Sequence, residues 1–196
     1  MTQGPEDADE QRALHYQLIA RLLAAPPDAA LLDVVADLAG DDSDLGTAVA
    51  ELARRAGAAD AAAVTEEYNN LFVGLGRGEL LPFGSYYLTG FLHEKPLAKL
   101  RQDMARLGIE RADEVKEPED HIAALCEIMA GLILGDFGAL ASLDVQRQFF
   151  VAHLQPWAGQ FFKDLERAQS ARFYAPVGTI GRVLLAIEAE AFAMQN

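Results

Sequence analysis

Apolar residues recur along this chain with the period of an amphipathic helix. From Asp9 to Ala25, Leu14, Leu18, Leu22 and Ala25 repeat at helical spacing, and Tyr16, Ile19 and Leu23 widen the face until Pro26 and Pro27 close it. A second helix is predicted after Asp28, placed as its N-cap, and runs to about Ala39; a third spans Asp44 to Arg55 and stops at Gly57. A fourth begins near Asp60 and carries Val64, Tyr68, Leu71, Phe72 and Leu75 on one side before Gly74, Gly76 and Gly78 break it. Further helices are predicted over Ser85–Leu92, Pro96–Leu107, Pro118–Leu134, Ser142–Leu154, Pro156–Gln169 and Val177–Met194, several with proline at or near the first turn, where its missing N–H costs nothing. No run of alternating β-branched residues competes, and no internal repeat or low-complexity linker interrupts, although the Ala-rich Ala56–Ala63 reads as a connection. The expected architecture is an all-α helical bundle forming one domain over residues 1–196.

Composition narrows the function more than the fold. At 51% hydrophobic residues in 196 the chain has enough apolar surface to fold. A formal charge of −14 opposes approach to phosphate backbones and anionic leaflets, so no nucleic-acid partner and no stable membrane insertion is expected. A basic peptide matches better, because carboxylates accept the forked donors of arginine; the plainer alternative is that the acidity only confers solubility. The single cysteine, Cys126, excludes an internal disulfide and a cysteine metal cluster. Met1–Glu10 has no basic region followed by an apolar stretch, so no secretory signal is expected, and Ile122–Leu134, interrupted by Glu127, is too short to span a bilayer. These features predict a cytoplasmic protein.

Two segments concentrate candidate chemistry. Leu71-Phe72-Val73-Gly74 leads through a glycine-rich stretch into Leu81-Pro82-Phe83-Gly84-Ser85-Tyr86-Tyr87, a cluster of aromatics around Gly and Pro that suits a peptide groove but equally a core. The Gly74, Gly76, Gly78 spacing lacks the Lys-Ser/Thr, the preceding strand and the fingerprint spacing of a phosphate loop. In Glu117-Pro118-Glu119-Asp120-His121, the acids complement the positive end of a helix that Pro118 starts, and His121 is expected on the side of Leu125, Ile128 and Leu132. That pair either anchors a peptide or caps and packs the helix. A hydrolytic reading through Asp120 and His121 lacks an assigned nucleophile, and His15, His93, His121 and His153 are too dispersed to predict a metal site. No cofactor, metal or catalytic residue is expected. Phe149, Phe150, Trp157, Phe161, Phe162, Phe173 and Tyr174 read as core.

The order of these blocks resembles the TorD/DmsD family of redox-enzyme maturation chaperones, grouped with the nitrate reductase delta-type proteins. The resemblance rests on Glu67-Tyr68 through Phe72-Val73-Gly74 with Pro82 to Tyr87, on Pro118-Glu119-Asp120-His121, and on His153-Leu154 to Pro156-Trp157 followed by Phe173-Tyr174. It implies a non-enzymatic chaperone that binds the twin-arginine signal peptide or the apoprotein of a molybdopterin enzyme and delays export until the cofactor is inserted. It also implies a peptide-binding surface formed by Leu71, Phe72, Pro82, Phe83, Gly84, Ser85, Tyr87, Pro118, Asp120 and His121, with Tyr16 from the first helix. Phe83 stands where the dimethyl sulfoxide reductase type has tryptophan, Gly76 where some members carry an aromatic, and Asn69 and Asn70 where others are basic. The run Ser85 to Phe91 with Glu94-Lys95-Pro96-Leu97 is similar to members serving formate dehydrogenases, so a client of the dimethyl sulfoxide, trimethylamine N-oxide or formate type is implied. A monomer is expected, with a dimer as the alternative. The rival readings are a permanent structural or assembly subunit of a redox complex and the hydrolase above.

Overall fold

The computed structural model describes residues 7–112 and 115–194. Met1–Glu6, which carry most of the stretch read for a secretory signal, lie outside the described residues. Ten α-helices occur among the described residues: α1 Asp7–Ala24, α2 Ala29–Ala36, α3 Asp44–Ala56, α4 Ala61–Tyr68, α5 Gly84–Thr89, α6 Lys95–Arg106, α7 Ile122–Leu134, α8 Leu143–His153, α9 Ala158–Arg167 and α10 Ala175–Ala193. No strand forms among them; an isolated antiparallel bridge pairs Phe83 with His121. The fold is all-α.

Local signals set many helix starts. Side chains of Asp28, Ser43, Asp60 and Ser142 accept the backbone N–H of Leu31, Gly46, Ala63 and Val145, satisfying donors that have no partner within the first turn. Pro96 and Pro176 occupy the first turns of α6 and α10.

The chain divides into two compact units, the first comprising residues 1–24 and 82–157, the second residues 25–81 and 158–196. In the first, α1 packs along α7, whose residues are buried almost throughout because α7 is apolar on every side except at Glu127. The α1 face that is buried comprises Ala13, Tyr16, Ile19, Ala20, Leu22 and Leu23, whereas Leu14 is 59% exposed. The stripe predicted from Leu14 is therefore rotated toward Tyr16 and the two alanines, which allow close approach.

In the second unit α10 packs on α9 and α3. A Cβ at Gly181 would lie 2.3 Å from a ring carbon of Phe162, so the helices meet at this glycine. The turn between α9 and α10 is held by two carboxylates. Glu67 accepts the backbone N–H of Arg172, Phe173 and Tyr174, and Glu79 those of Gln169 and Ser170. Burial works to raise the Glu79 pKa, but those two backbone donors together with the Ser170 side chain outweigh it and hold it below the usual value. Helix α4 does not continue unchanged through Phe72: residues Asn69–Val73 widen into a π-turn closed by Gly74 N–H to Asn69 O at 2.7 Å. The carbonyls of Asn70 and Leu71 accept Glu79 and Leu80 N–H, so the returning loop takes the groups that a longer helix would have used.

Candidate functional site

The predicted helix from Pro118 begins four residues later. Pro118 O accepts His121 N–H at 3.1 Å, and His121 itself is the N-cap, with extended backbone and Nδ1 accepting Ala123 N–H at 3.1 Å. The helical register read through Asp120 and His121 thus does not apply. A tertiary pairing overrides the proline signal: Gly84 N–H donates to Asp120 O, and Ile122 N–H donates to Pro82 O, each at 2.9 Å. These bonds clip the start of α5 to the start of α7.

Asp120 is the centre of the clip. Its side chain is 3% exposed, and Oδ2 accepts both Ser85 N–H at 2.7 Å and Ser85 Oγ–H at 2.5 Å. Oδ1 is buried with no hydrogen-bond partner. An unpaired acceptor on a buried carboxylate costs stability, so its persistence calls for an explanation in function. The neighbouring Glu119 is anchored by Arg101, whose Nε and Nη2 lie 3.0 and 2.8 Å from Oε2. Burial pushes the Glu119 pKa up, but the guanidinium of Arg101, assisted by Arg111, holds it below the usual range. His121 packs edge-on to Phe83 at 5.0 Å, and burial lowers its pKa to about 4. A neutral imidazole that caps a helix with Nδ1 is not placed as a base, and no hydrogen bond joins it to Asp120 or Ser85. Ser85 is fully buried and directs its hydroxyl to Asp120 rather than to His121, so a serine and histidine pair is not assembled here.

Beside the clip opens a cavity of about 480 Å³, lined among others by Asp120, His153, Trp157, Leu88, Lys95 and Lys99. Trp157 is buried, donates Nε1–H to His153 O at 2.7 Å and stacks with Tyr87 at 5.4 Å. A Cβ on Gly84 would lie 3.0 Å from Trp157 Nε1, so any larger residue there needs the indole to give by a few tenths of an ångström. Leu88 of the cavity lining and, further along the chain, Phe91 and Leu92 are 43%, 70% and 39% exposed, and Thr89 Oγ1 accepts Phe91 N–H as the chain turns through Gly90.

Of the residues expected at a peptide surface, Pro82, Phe83, Gly84, Ser85, Asp120 and His121 come together at the clip, with half-buried Pro118 at its edge and Tyr87 over Trp157. Tyr16 is fully buried in the core of the same unit and offers no surface. Leu71 and Phe72 belong to the second unit; Leu71 is fully buried, and Phe72 packs between Tyr68 and Tyr174 at 5.0 and 5.5 Å. Sequence reasoning did not count His153, Trp157, Lys95, Lys99 or Leu88 among the site residues. The signal available for the first two was their spacing of four residues around Pro156, which reads as core packing. Among the described residues, no group of His, Cys, Asp and Glu side chains comes together as metal ligands, and no helix is long and apolar enough to cross a membrane.

The sequence profile of the nitrate reductase delta subunit family matches residues 38–163, and the chain belongs to that family. Among its relatives, the chaperone protein TorD of Vibrio atlanticus is 27% identical over 60% of this chain and 58% of its own length. TorD of Vibrio cholerae is 30% identical over 48% and 46%. A protein named as the Tat proofreading chaperone DmsD of Haemophilus influenzae is 28% identical over 57% and 53%. The chain thus spans about half the length of the curated relatives it matches. In fold it is similar to a solved structure from Archaeoglobus fulgidus described as a redox enzyme maturation protein, with a TM-score of 0.59 and 23% identity over 89% of this chain and 93% of that one.

Proposed function

We propose that this chain is a cytoplasmic maturation chaperone without enzymatic activity, which binds the twin-arginine signal peptide and apoprotein of a molybdopterin redox enzyme and delays export until the cofactor is in place. The names of its relatives support the class, and one observation carries the site: the unpartnered Oδ1 of Asp120, buried beside an open cavity. A carboxylate oxygen held in place but unsatisfied is an acceptor waiting for a cationic donor, and arginine supplies one with several N–H groups. Leu88, Phe91 and Leu92 extend the site with apolar surface, suited to the hydrophobic stretch that follows the arginines in such leaders. The overall charge of −14 favours approach of that basic segment. The monomer is the binding form, and the client is of the dimethyl sulfoxide, trimethylamine N-oxide or formate type.

The exposed apolar residues also favour a second reading, a permanent subunit that covers them in a stable interface. Co-expression with a redox-enzyme precursor separates the two. The chaperone reading expects a complex that forms with the apoprotein carrying its leader and dissociates once the cofactor is loaded. A complex that persists with the mature, loaded enzyme contradicts it.

A further inference from the structure

His153 ends α8 and lines the same cavity as Asp120. Its Nε2 lies 2.8 Å from Oδ2 of Asp103, whose other oxygen pairs with Arg106, and its ring stacks on Phe149 at 4.9 Å. Since a carboxylate only accepts, the ring proton sits on Nε2 and Nδ1 carries a lone pair. Burial, with Lys99 and Arg106 nearby, lowers the His153 pKa to about 4, so the neutral tautomer prevails at neutral pH. Nδ1 makes no hydrogen bond to the described residues and, unlike Oδ1 of Asp120, is reached by solvent. The residues that line the cavity therefore carry two acceptors with no protein donor, a ring nitrogen reached by solvent on α8 and a buried carboxylate oxygen on the segment before α7. Lys95 and Lys99 also line it, but their exposed ammonium groups bond to neither acceptor.

We propose that His153 is a second binding residue of this cavity, taking one N–H of a guanidinium whose remaining donors face Asp120, so that the site selects arginine over lysine. The assignment rests on the peptide-binding reading above. It follows from donor geometry: a guanidinium presents five N–H groups in a planar fork that can address two separate acceptors at once, whereas an ammonium is a compact point donor. Asp103 is a positioning residue, since it fixes the tautomer that leaves Nδ1 open.

The test uses two synthetic peptides, one with an arginine pair ahead of an apolar stretch and one with lysines in their place, titrated into the full chain. In His153→Gln, the amide N–H can still reach Asp103, but the ring nitrogen Nδ1 with its in-plane lone pair is gone. The variant is expected to lose about tenfold in affinity for the arginine peptide and to leave the lysine peptide unchanged, with Asp120→Asn weakening both. Equal losses for both peptides in His153→Gln, or no loss for either, overturn the role of His153 while leaving the Asp120 reading intact. Indifference of both peptides to Asp120→Asn removes the binding reading itself, as does absence of binding to the unaltered chain. Should His153→Gln fold poorly, ¹⁵N NMR of the unaltered protein decides: the Nδ1 resonance of His153 should shift upfield on adding the arginine peptide, and an unmoved resonance at saturation overturns the proposal.

Discussion

Ser85 directs both its N–H and its Oγ–H to one oxygen of Asp120, while the other oxygen of that carboxylate is buried without a partner. The serine thus immobilises the carboxylate without satisfying it. Replacing Ser85 by alanine removes a hydrogen bond to a charged group and should lower stability by about 1.5–3 kcal/mol. Denaturant unfolding measures this directly. A change within a few tenths of a kcal/mol would mean that the backbone N–H alone holds Asp120.

Gly84 and Trp157 test the packing beside the cavity. Gly84→Ala places a methyl group 3.0 Å from the indole nitrogen and should cost about 1–3 kcal/mol by overpacking. Trp157 is the chain's one tryptophan, so its fluorescence reports the displacement without ambiguity. The emission of the variant should move to longer wavelength as the indole gains contact with water. An unchanged spectrum and unfolding midpoint would contradict the close approach of α5 to the indole.

His121 should make the fold acid-sensitive within a defined window. Its pKa is about 4 in the folded chain against 6.5 for the free side chain, so between these values the unfolded chain binds a proton that the folded chain does not. Its contribution is complete above pH 6.5 and is lost as pH falls toward 4, reaching at most about 3 kcal/mol. Unfolding free energies measured across this range for the unaltered protein and for His121→Asn, whose amide oxygen can still cap α7, separate this residue from other groups. The variant should show a shallower decline. Identical slopes would show that His121 is protonated with ordinary ease when folded.

Much of the fold was legible because the signals that make it are local. Asp28, Ser43, Asp60 and Ser142 cap helices within three residues of themselves, and proline marks the first turns of α6 and α10. The sequence also singled out two segments that the structure brings together, since Pro82 to Ser85 and Asp120 to His121 meet at the clip, the candidate site. Its geometry was not legible. The helix predicted from Pro118 gives way because residues 120 and 122 bond to residues 84 and 82, a pairing that no helical periodicity encodes. Leu14 fits the apolar period yet faces outward, because the tighter contact is made through Ala13, Tyr16 and Ala20. Trp157 reads as core from its aromatic spacing and is buried; only its position beside a cavity, together with His153, separates it from Phe161 and Phe162.

The central claim is that Asp120 is kept unsatisfied in order to receive a cation from the client. Calorimetric titration of a twin-arginine leader peptide into the unaltered protein and into Asp120→Asn, with thermal unfolding of both, tests it most directly. Binding to the unaltered chain is expected at micromolar affinity or tighter, about −8 kcal/mol at 1 μM. The variant should lose about 1.5–3 kcal/mol, roughly tenfold to a hundredfold, because a charge-assisted bond to the peptide disappears. Its unfolding midpoint should stay near that of the unaltered protein, since removing a buried charge with one unbonded oxygen offsets the weaker bonds to Ser85. A fall in the unfolding midpoint with peptide affinity unchanged would contradict the account, showing that Asp120 serves only to hold α5 against α7.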